Sequence, residues 1–343
     1  MMSQDLPRHL AGLTSLVGKD IDQERLLEEV NGLVTPLQRE LEATSAETQE
    51  PIVFILGPPR SATTLVSQLL QVTGAFSVIT NLAAKFWMAP AFGLMLSSAL
   101  IPKDEDRTHS FRSTRGSTQG LWEPHEFGYF WSRWFDLGQE THFLDSDVRR
   151  RIDAKGLIGA VRSMQAATNR PIVFKNNTWF SFQADLLADL FPHAVFVSCS
   201  RDAFFVAQSL WLQRLDLFGE PSGWWSVKPP DYAEIVKLPP LEQVARQAVS
   251  IEATTRDALR KVDPARVIEI EYERVSREPR KIISDIAELI GRRGGEALKV
   301  DIEKCPSRFE STDLVRLNDV LAGELQVAIG RWRTELGEKA TRG

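Results

Sequence analysis

The run Ile52-Val53-Phe54-Ile55-Leu56 leaves this 343-residue chain the least choice of fold. Five consecutive apolar residues offer water no polar face, so as a strand they must be covered on both sides. Helices on both faces of a sheet imply helical crossovers, and such crossovers join parallel strands. Gly57-Pro58-Pro59 ends the run, and Ser61 to Leu70 reads as a helix. A strand, a tight turn and a helix start place free backbone N–H groups and the positive end of a helix dipole at one point. The hydroxyls of Ser61, Thr63 and Thr64 and the charge of Arg60 surround it. Such a loop is suited to hold a phosphate.

The remaining chain repeats the alternation. Further strands are expected at Pro171 to Phe174, Ala194 to Ser198 and Val267 to Ile270. Helices are expected at Asp147 to Ala167, Gln183 to Leu190, Phe204 to Arg214, Leu241 to Lys261, Pro279 to Ile290 and Leu314 to Leu336. Upstream, Leu26, Val30, Leu33, Leu37 and Leu41 recur in steps of three and four, the mark of an amphipathic helix over Asp22 to Leu41. The expected fold class is α/β, a mostly parallel central sheet flanked by helices. One domain suffices, with a helical extension at 1–48, a core at 51–291 and a C-terminal loop and helix at 292–343. The first helix has two uses, packing on the sheet, which is the default, or pairing two copies as a homodimer.

Composition excludes several roles. With 43% hydrophobic and 25% charged residues the chain reads as soluble and globular. A net charge of -5 argues against general nucleic-acid binding. Two cysteines and five scattered histidines form no metal-ligand spacing, so no metal is expected. The most apolar stretch, Phe86 to Ile101, is broken by Pro90 and Gly93 and falls short of the ~20 residues a membrane span needs. The start shows no apolar run of signal-peptide type, and the expected location is cytoplasmic.

An ATP-type phosphate loop requires G-x-x-x-x-G-K-[ST]. Here Ala62 stands at the second glycine and Thr63 at the lysine, so a kinase or nucleotide hydrolase is an alternative that lacks its key cation. The segment Pro59-Arg60-Ser61-Ala62-Thr63-Thr64 instead resembles the 5′-phosphosulfate loop of sulfotransferases that use PAPS (3′-phosphoadenosine 5′-phosphosulfate). That family writes Pro-[Arg/Lys]-Ser-Gly-Thr-Thr; Ala62 departs from it, which a helical backbone would tolerate. Downstream, a strand ending in Ser200-Arg201-Asp202 and a helix carrying Ser209 resemble the family's 3′-phosphate motif. An arginine fork suits a phosphate, each charge-assisted bond contributing roughly 1.5–3 kcal/mol. Val267 to Glu273, then Glu278-Pro279 and a helix ending at Ile290-Gly291, resemble the family's late strand and helix.

The resemblance implies a P-loop-like fold with helical additions, PAPS as donor, PAP as product and no metal. Arg60, Ser61, Ala62, Thr63, Thr64, Arg201 and Ser209 would bind the nucleotide, and Arg308 would close the site as a basic C-terminal loop does in some relatives. Lys175 resembles the lysine that stabilises the leaving oxygen. Where cytosolic relatives place a histidine base two residues later, this chain has Asn177. Other branches use a glutamate from the preceding segment, which here reads Trp122-Glu123-Pro124-His125-Glu126-Phe127 and offers Glu123, His125 and Glu126. His109 and His193 are remote candidates. Aromatic residues in Phe86 to Ile101, Trp122 to Phe135 and Trp211 to Trp225 either wall a pocket for a small, hydrophobic or lipid-like hydroxyl (or amine) acceptor or pack the core. Asn177 also leaves open a catalytically inactive PAP-binding protein on the same scaffold.

Overall fold

Ile52–Leu56 forms β1, the central strand of a five-stranded sheet, and every one of its residues is buried. The computed structural model describes residues 20–45, 50–101, 110–114, 116–137, 140–294 and 298–342. Along the chain, α1 (Ile21–Thr44) precedes β1, and α2 (Thr63–Val72) leads to a short edge strand, β2 (Ser77–Val78). Helices α3 (Pro90–Leu100) and α4 (Ala154–Thr168) precede β3 (Ile172–Lys175), and α5 (Ala184–Leu190) precedes β4 (Val195–Ser200). Then come α6 (Ala203–Phe218), α7 (Pro240–Leu259), β5 (Val267–Glu271), α8 (Tyr272–Arg277), α9 (Pro279–Gly294) and α10 (Asp319–Arg342). Among the shorter helical turns are Gly128–Trp131, Ser146–Arg150 and Asn177–Phe180.

The strand order is β2-β3-β1-β4-β5, with every pairing parallel. The chain fills one side of β1, then crosses to the other between β3 and β4. That crossing is a topological switch point, the place where open α/β sheets bind ligands. It brings the carboxyl ends of β3, β1 and β4 side by side.

Alternation along β1 distributes its side chains between two cores. Ile52, Phe54 and Leu56 face one core, with Leu157, Val161 and Met164 of α4; Val53 and Ile55 face the other, with Val66, Leu69 and Leu70 of α2 and Ile282, Ile283 and Ile286 of α9. Phe54 pairs in register with Phe174 and Phe196. The three rings stack across the strands at 5.7 and 5.6 Å. Trp87, Leu94, Phe130, Trp131 and Phe135 pack into the Phe54 core. For these residues the core reading holds and the pocket-wall reading does not.

Two expectations need correction. The helix expected over Asp147 to Ala167 divides into Ser146–Arg150 and α4, because Asp153 caps a new start by accepting from the Gly156 N–H. Helix α1 forms where its periodicity places it, yet packs with the other face, and on α3, α4 and the turn Ala83–Phe86 rather than on the sheet. Its buried positions are Glu24, Asn31 and Gln38, while Leu26 and Leu33 are 59% and 80% exposed. Tyr129 Oη donates to Glu24 at 2.7 Å. Asn31 donates to the carbonyls of Leu27 and Lys85 and accepts from the Met88 N–H, each at 2.8 Å. Gln38 donates to Ser163 and accepts from the Ala91 N–H. These bonds satisfy groups that would otherwise be stranded in the interior, and so they outrank the leucine stripe. Among the described residues no helix is long and apolar enough to cross a membrane.

Asn31→Ala should therefore lower stability by about 1–3 kcal/mol, since it strands the buried partner groups. Leu33→Ala should stay within about 0.5 kcal/mol. Urea titration followed by tryptophan fluorescence reads both.

Candidate active site

After β1 the backbone turns so sharply that side chains are excluded. Gly57 has φ +142°, and a Cβ there would lie 2.2 Å from the Cys199 carbonyl oxygen on β4. Arg60 and Ala62 also hold positive φ, 68° and 70°. Ala62 is thus left-handed rather than helical, which corrects the expectation and gives the physical reason a glycine belongs there. As N-cap of α2 it offers no side-chain acceptor, so the first-turn N–H groups point out of the loop uncapped.

The loop hydroxyls are held by the protein. Ser61 is fully buried and donates to the Pro58 carbonyl at 2.8 Å, a bond that shapes the turn. Thr63 donates to Asn177 Oδ1 at 3.2 Å, and Asn177 Nδ2 donates to the Pro58 carbonyl at 3.0 Å. Asn177, noticed in the sequence only for not being histidine, is a brace across the phosphate loop. Thr64 donates to the Gly116 carbonyl at 3.3 Å.

Lys175 ends β3 opposite Ile55 of β1. Its buried ammonium donates to Glu126 Oε1 at 2.7 Å and to the Gly116 carbonyl at 3.2 Å. The adjacent Asn176, fully buried, donates to the Glu126 carbonyl at 2.9 Å and caps the turn Asn177–Phe180 with its oxygen. One pair of asparagines thus fixes both the phosphate loop and the backbone that carries Glu126. The Glu126 side chain remains 46% exposed, open to a second molecule.

The other base candidates are placed differently. Glu123 is buried and accepts from Gln68 of α2 at 2.7 Å. His125 is exposed, and its Nδ1 accepts from the Phe127 N–H at 2.8 Å, which occupies the lone pair a base would use. His193 is exposed at the amino end of β4, the opposite end of the sheet. His109 lies outside the described residues.

Arg201, one residue beyond β4, is the centre of a second cluster. Its Nη1 donates to the Arg60 carbonyl at 2.8 Å, tying β4 to the phosphate loop. Its guanidinium lies over the Tyr272 ring, 4.1 Å from the centroid, and bonds Asp313 at 2.8 and 2.5 Å. Burial, then the neighbouring charges of Arg201 and Arg316, hold the Arg60 guanidinium below its ordinary pKa. Three arginines therefore gather here, and an anion would relieve them. Ser209 is half-buried on α6 with no hydrogen-bonding partner among the described residues; its neighbour Gln208 clamps the C-terminal segment at Leu314, Arg316 and Leu317. Arg308 is exposed, next to Phe309, which packs on Phe111 at 5.5 Å. Tyr272 follows β5 directly and reaches Arg201 through the pairing of β4 with β5, a segment the sequence marked only as scaffold; nothing local in the sequence marks Asp313 and Arg316, and only the return of the C-terminal segment brings them to β4.

Residues 51–293 match the Sulfotransferase family. The chain belongs to that family. It is an enzyme, a sulfotransferase. The sulfotransferase STF9 from Mycobacterium avium is similar in fold, with a TM-score of 0.52 and 16% identity over 83% of this chain and 76% of that one. Sulfotransferase STF1 from Mycobacterium tuberculosis H37Rv aligns over 95% of this chain and 98% of its own, at 15% identity and a TM-score of 0.49. Curated proteins give no sequence match.

In this sulfotransferase the left-handed Ala62 carries a measurable strain. Ala62→Gly removes a penalty of roughly 1–2 kcal/mol and adds a glycine entropy cost of roughly 0.5–1 kcal/mol. The variant should come out more stable by about 0.5–1 kcal/mol, the reverse of the usual effect of glycine, as read by chemical denaturation.

Proposed function

We propose that the enzyme transfers a sulfuryl group from PAPS to a hydroxyl or amine of a small, hydrophobic or lipid-like acceptor, releasing PAP. The observation that carries this reading is the direct link between two anion-binding clusters, through the bond from Arg201 to the Arg60 carbonyl. One cluster is an uncapped helix start with Arg60; the other is the arginine group around Arg201. A nucleotide bearing phosphates at both its 5′ and 3′ positions meets both at once.

Sulfuryl transfer, like phosphoryl transfer, depends mainly on positioning and electrostatics. Lys175 stands at the end of β3 beside the loop that would hold the 5′ group, and stabilises charge developing on the leaving oxygen. Glu126, 2.7 Å from Lys175, takes the acceptor proton as the acceptor oxygen bonds to sulfur and the sulfur–phosphate oxygen bond breaks. Asn176 holds Glu126 in that place through its carbonyl. Ser209 and Arg308 complete the nucleotide side, and Glu123 supports the fold of α2 against the segment that bears the base. The half-buried Trp179, whose ring a Cβ on Gly128 would meet at 3.6 Å, supplies apolar surface next to Asn177 and supports an apolar acceptor.

Calorimetric titration with PAP in the absence of Mg²⁺ tests the donor site. Binding should be tight in the wild type and at least about tenfold weaker in Arg201→Ala, the loss of one charge-assisted contact. Binding indifferent to Arg201 would refute the assignment. Glu126→Gln should retain PAP binding and lose roughly 10²–10⁴ in kcat with any accepted hydroxyl. Full turnover by that variant would remove Glu126 as the base, and a screen in which only polar glycans accept sulfate would sink the acceptor class.

A further inference from the structure

Arg201 holds an anion in this structure, and the anion is part of the chain. Asp313 lies 112 residues downstream on the segment between α9 and α10, and its Oδ1 takes both Nε and Nη2 of Arg201. The two side chains are only 7% and 11% exposed. The pairing is one-sided: Oδ2 of Asp313 is buried and has no hydrogen-bonding partner among the described residues. A carboxylate fully suited to this place would use both oxygens against the fork of an arginine.

The surrounding charge is also mismatched. Arg201 and Arg316 both lie close enough to Arg60 for their like charges to disfavour its own. A carboxylate brings one negative charge to three guanidinium groups, whereas a phosphate monoester brings more charge and three acceptor oxygens. The segment that delivers Asp313 is fastened on both sides of that residue, and Thr312 also accepts from Arg201 at 3.4 Å and donates its N–H to Tyr272 at 3.1 Å. Gln208 accepts from the N–H groups of Arg316 and Leu317 and donates to the Leu314 carbonyl. On the other side Thr312 shares a 2.7 Å hydroxyl bond with Tyr272, and Ser311 to Arg316 are exposed apart from Asp313 itself.

We propose that Asp313 is an internal anion that occupies Arg201 in the nucleotide-free enzyme, and that the 3′-phosphate of the nucleotide displaces it on binding. The inference rests on the reading of Arg201 as a 3′-phosphate ligand. It makes Asp313 a determinant of donor affinity and selectivity: a ligand without a 3′-phosphate cannot move it. The exchange also couples occupancy of the donor site to the position of Thr312 and Asp313, which bond Arg201.

The test is a calorimetric titration of PAP and of AMP, which lacks the 3′-phosphate, into the wild type and Asp313→Asn. The amide keeps the shape and removes the charge. PAP should bind the variant about tenfold or more tightly than the wild type, with AMP affinity equal in both. An unchanged or weakened PAP affinity in the variant overturns the proposal, the weakened case meaning that Asp313 orients Arg201 instead. No PAP binding by either protein overturns the donor reading and this inference together. Hydrogen exchange on the wild type decides independently should the variant not fold. Saturating PAP should speed exchange at Thr312 and Asp313 and leave Arg316 and Leu317 protected by Gln208; slowed or unchanged exchange at Thr312 and Asp313 rejects displacement.

Discussion

Charges of one sign collected at one end of a sheet repel each other, and the way this chain contains Arg60, Lys175, Arg201 and Arg316 governs its architecture. Each strand of the central trio delivers cationic character at its carboxyl end, and two of these cations, Lys175 and Arg201, are matched by a carboxylate from elsewhere in the sequence. Glu126 comes to Lys175 from the segment before α4, and Asp313 comes to Arg201 from beyond α9. The loop after β1 has no carboxylate of its own; its carbonyl at Arg60 takes Arg201 instead. The scaffold behind these contacts is rigid, because β1 is buried on both faces and its Phe54 ring is stacked between two others. A stiff sheet holds the cations in place while the exposed segments that neutralise them remain separate pieces of chain.

Legibility in the sequence followed the range of the physics. The apolar run at Ile52 announced a strand covered on both sides, and its ending at Gly57 announced the turn, because both properties depend on neighbours in the chain. Every strand longer than two residues was readable for the same reason; β2, at Ser77–Val78, was too short to carry a pattern. Lys175 and Arg201 could be placed at strand ends, and the structure puts them there. What the sequence could not rank was Glu123 against His125 against Glu126. Their surroundings differ through Gln68, Phe127 and Lys175, partners 55, two and 49 positions away. Ala62 stood out as a departure from glycine that a helical backbone would tolerate, and the turn instead holds it at a positive φ.

Helix α1 shows how a correct period can point to the wrong face. Its leucines recur as a helix requires, but burial follows hydrogen-bonding need. Glu24, Asn31 and Gln38 each meet a polar group that the rest of the domain has left facing inward. Polar pins of this kind specify one seating where an apolar stripe would allow sliding.

Those pins also impose an order of events. The bonds from Asn31 to Lys85 and from Gln38 to Ser163 span 54 and 125 positions in the chain. During synthesis helix α1 has nothing to seat against until most of the sheet's first half exists, and closing such long loops is slow compared with local helix formation. Helix α1 is thus made well before it can dock, and until then Leu26, Leu33 and the polar face beside them all stand in water.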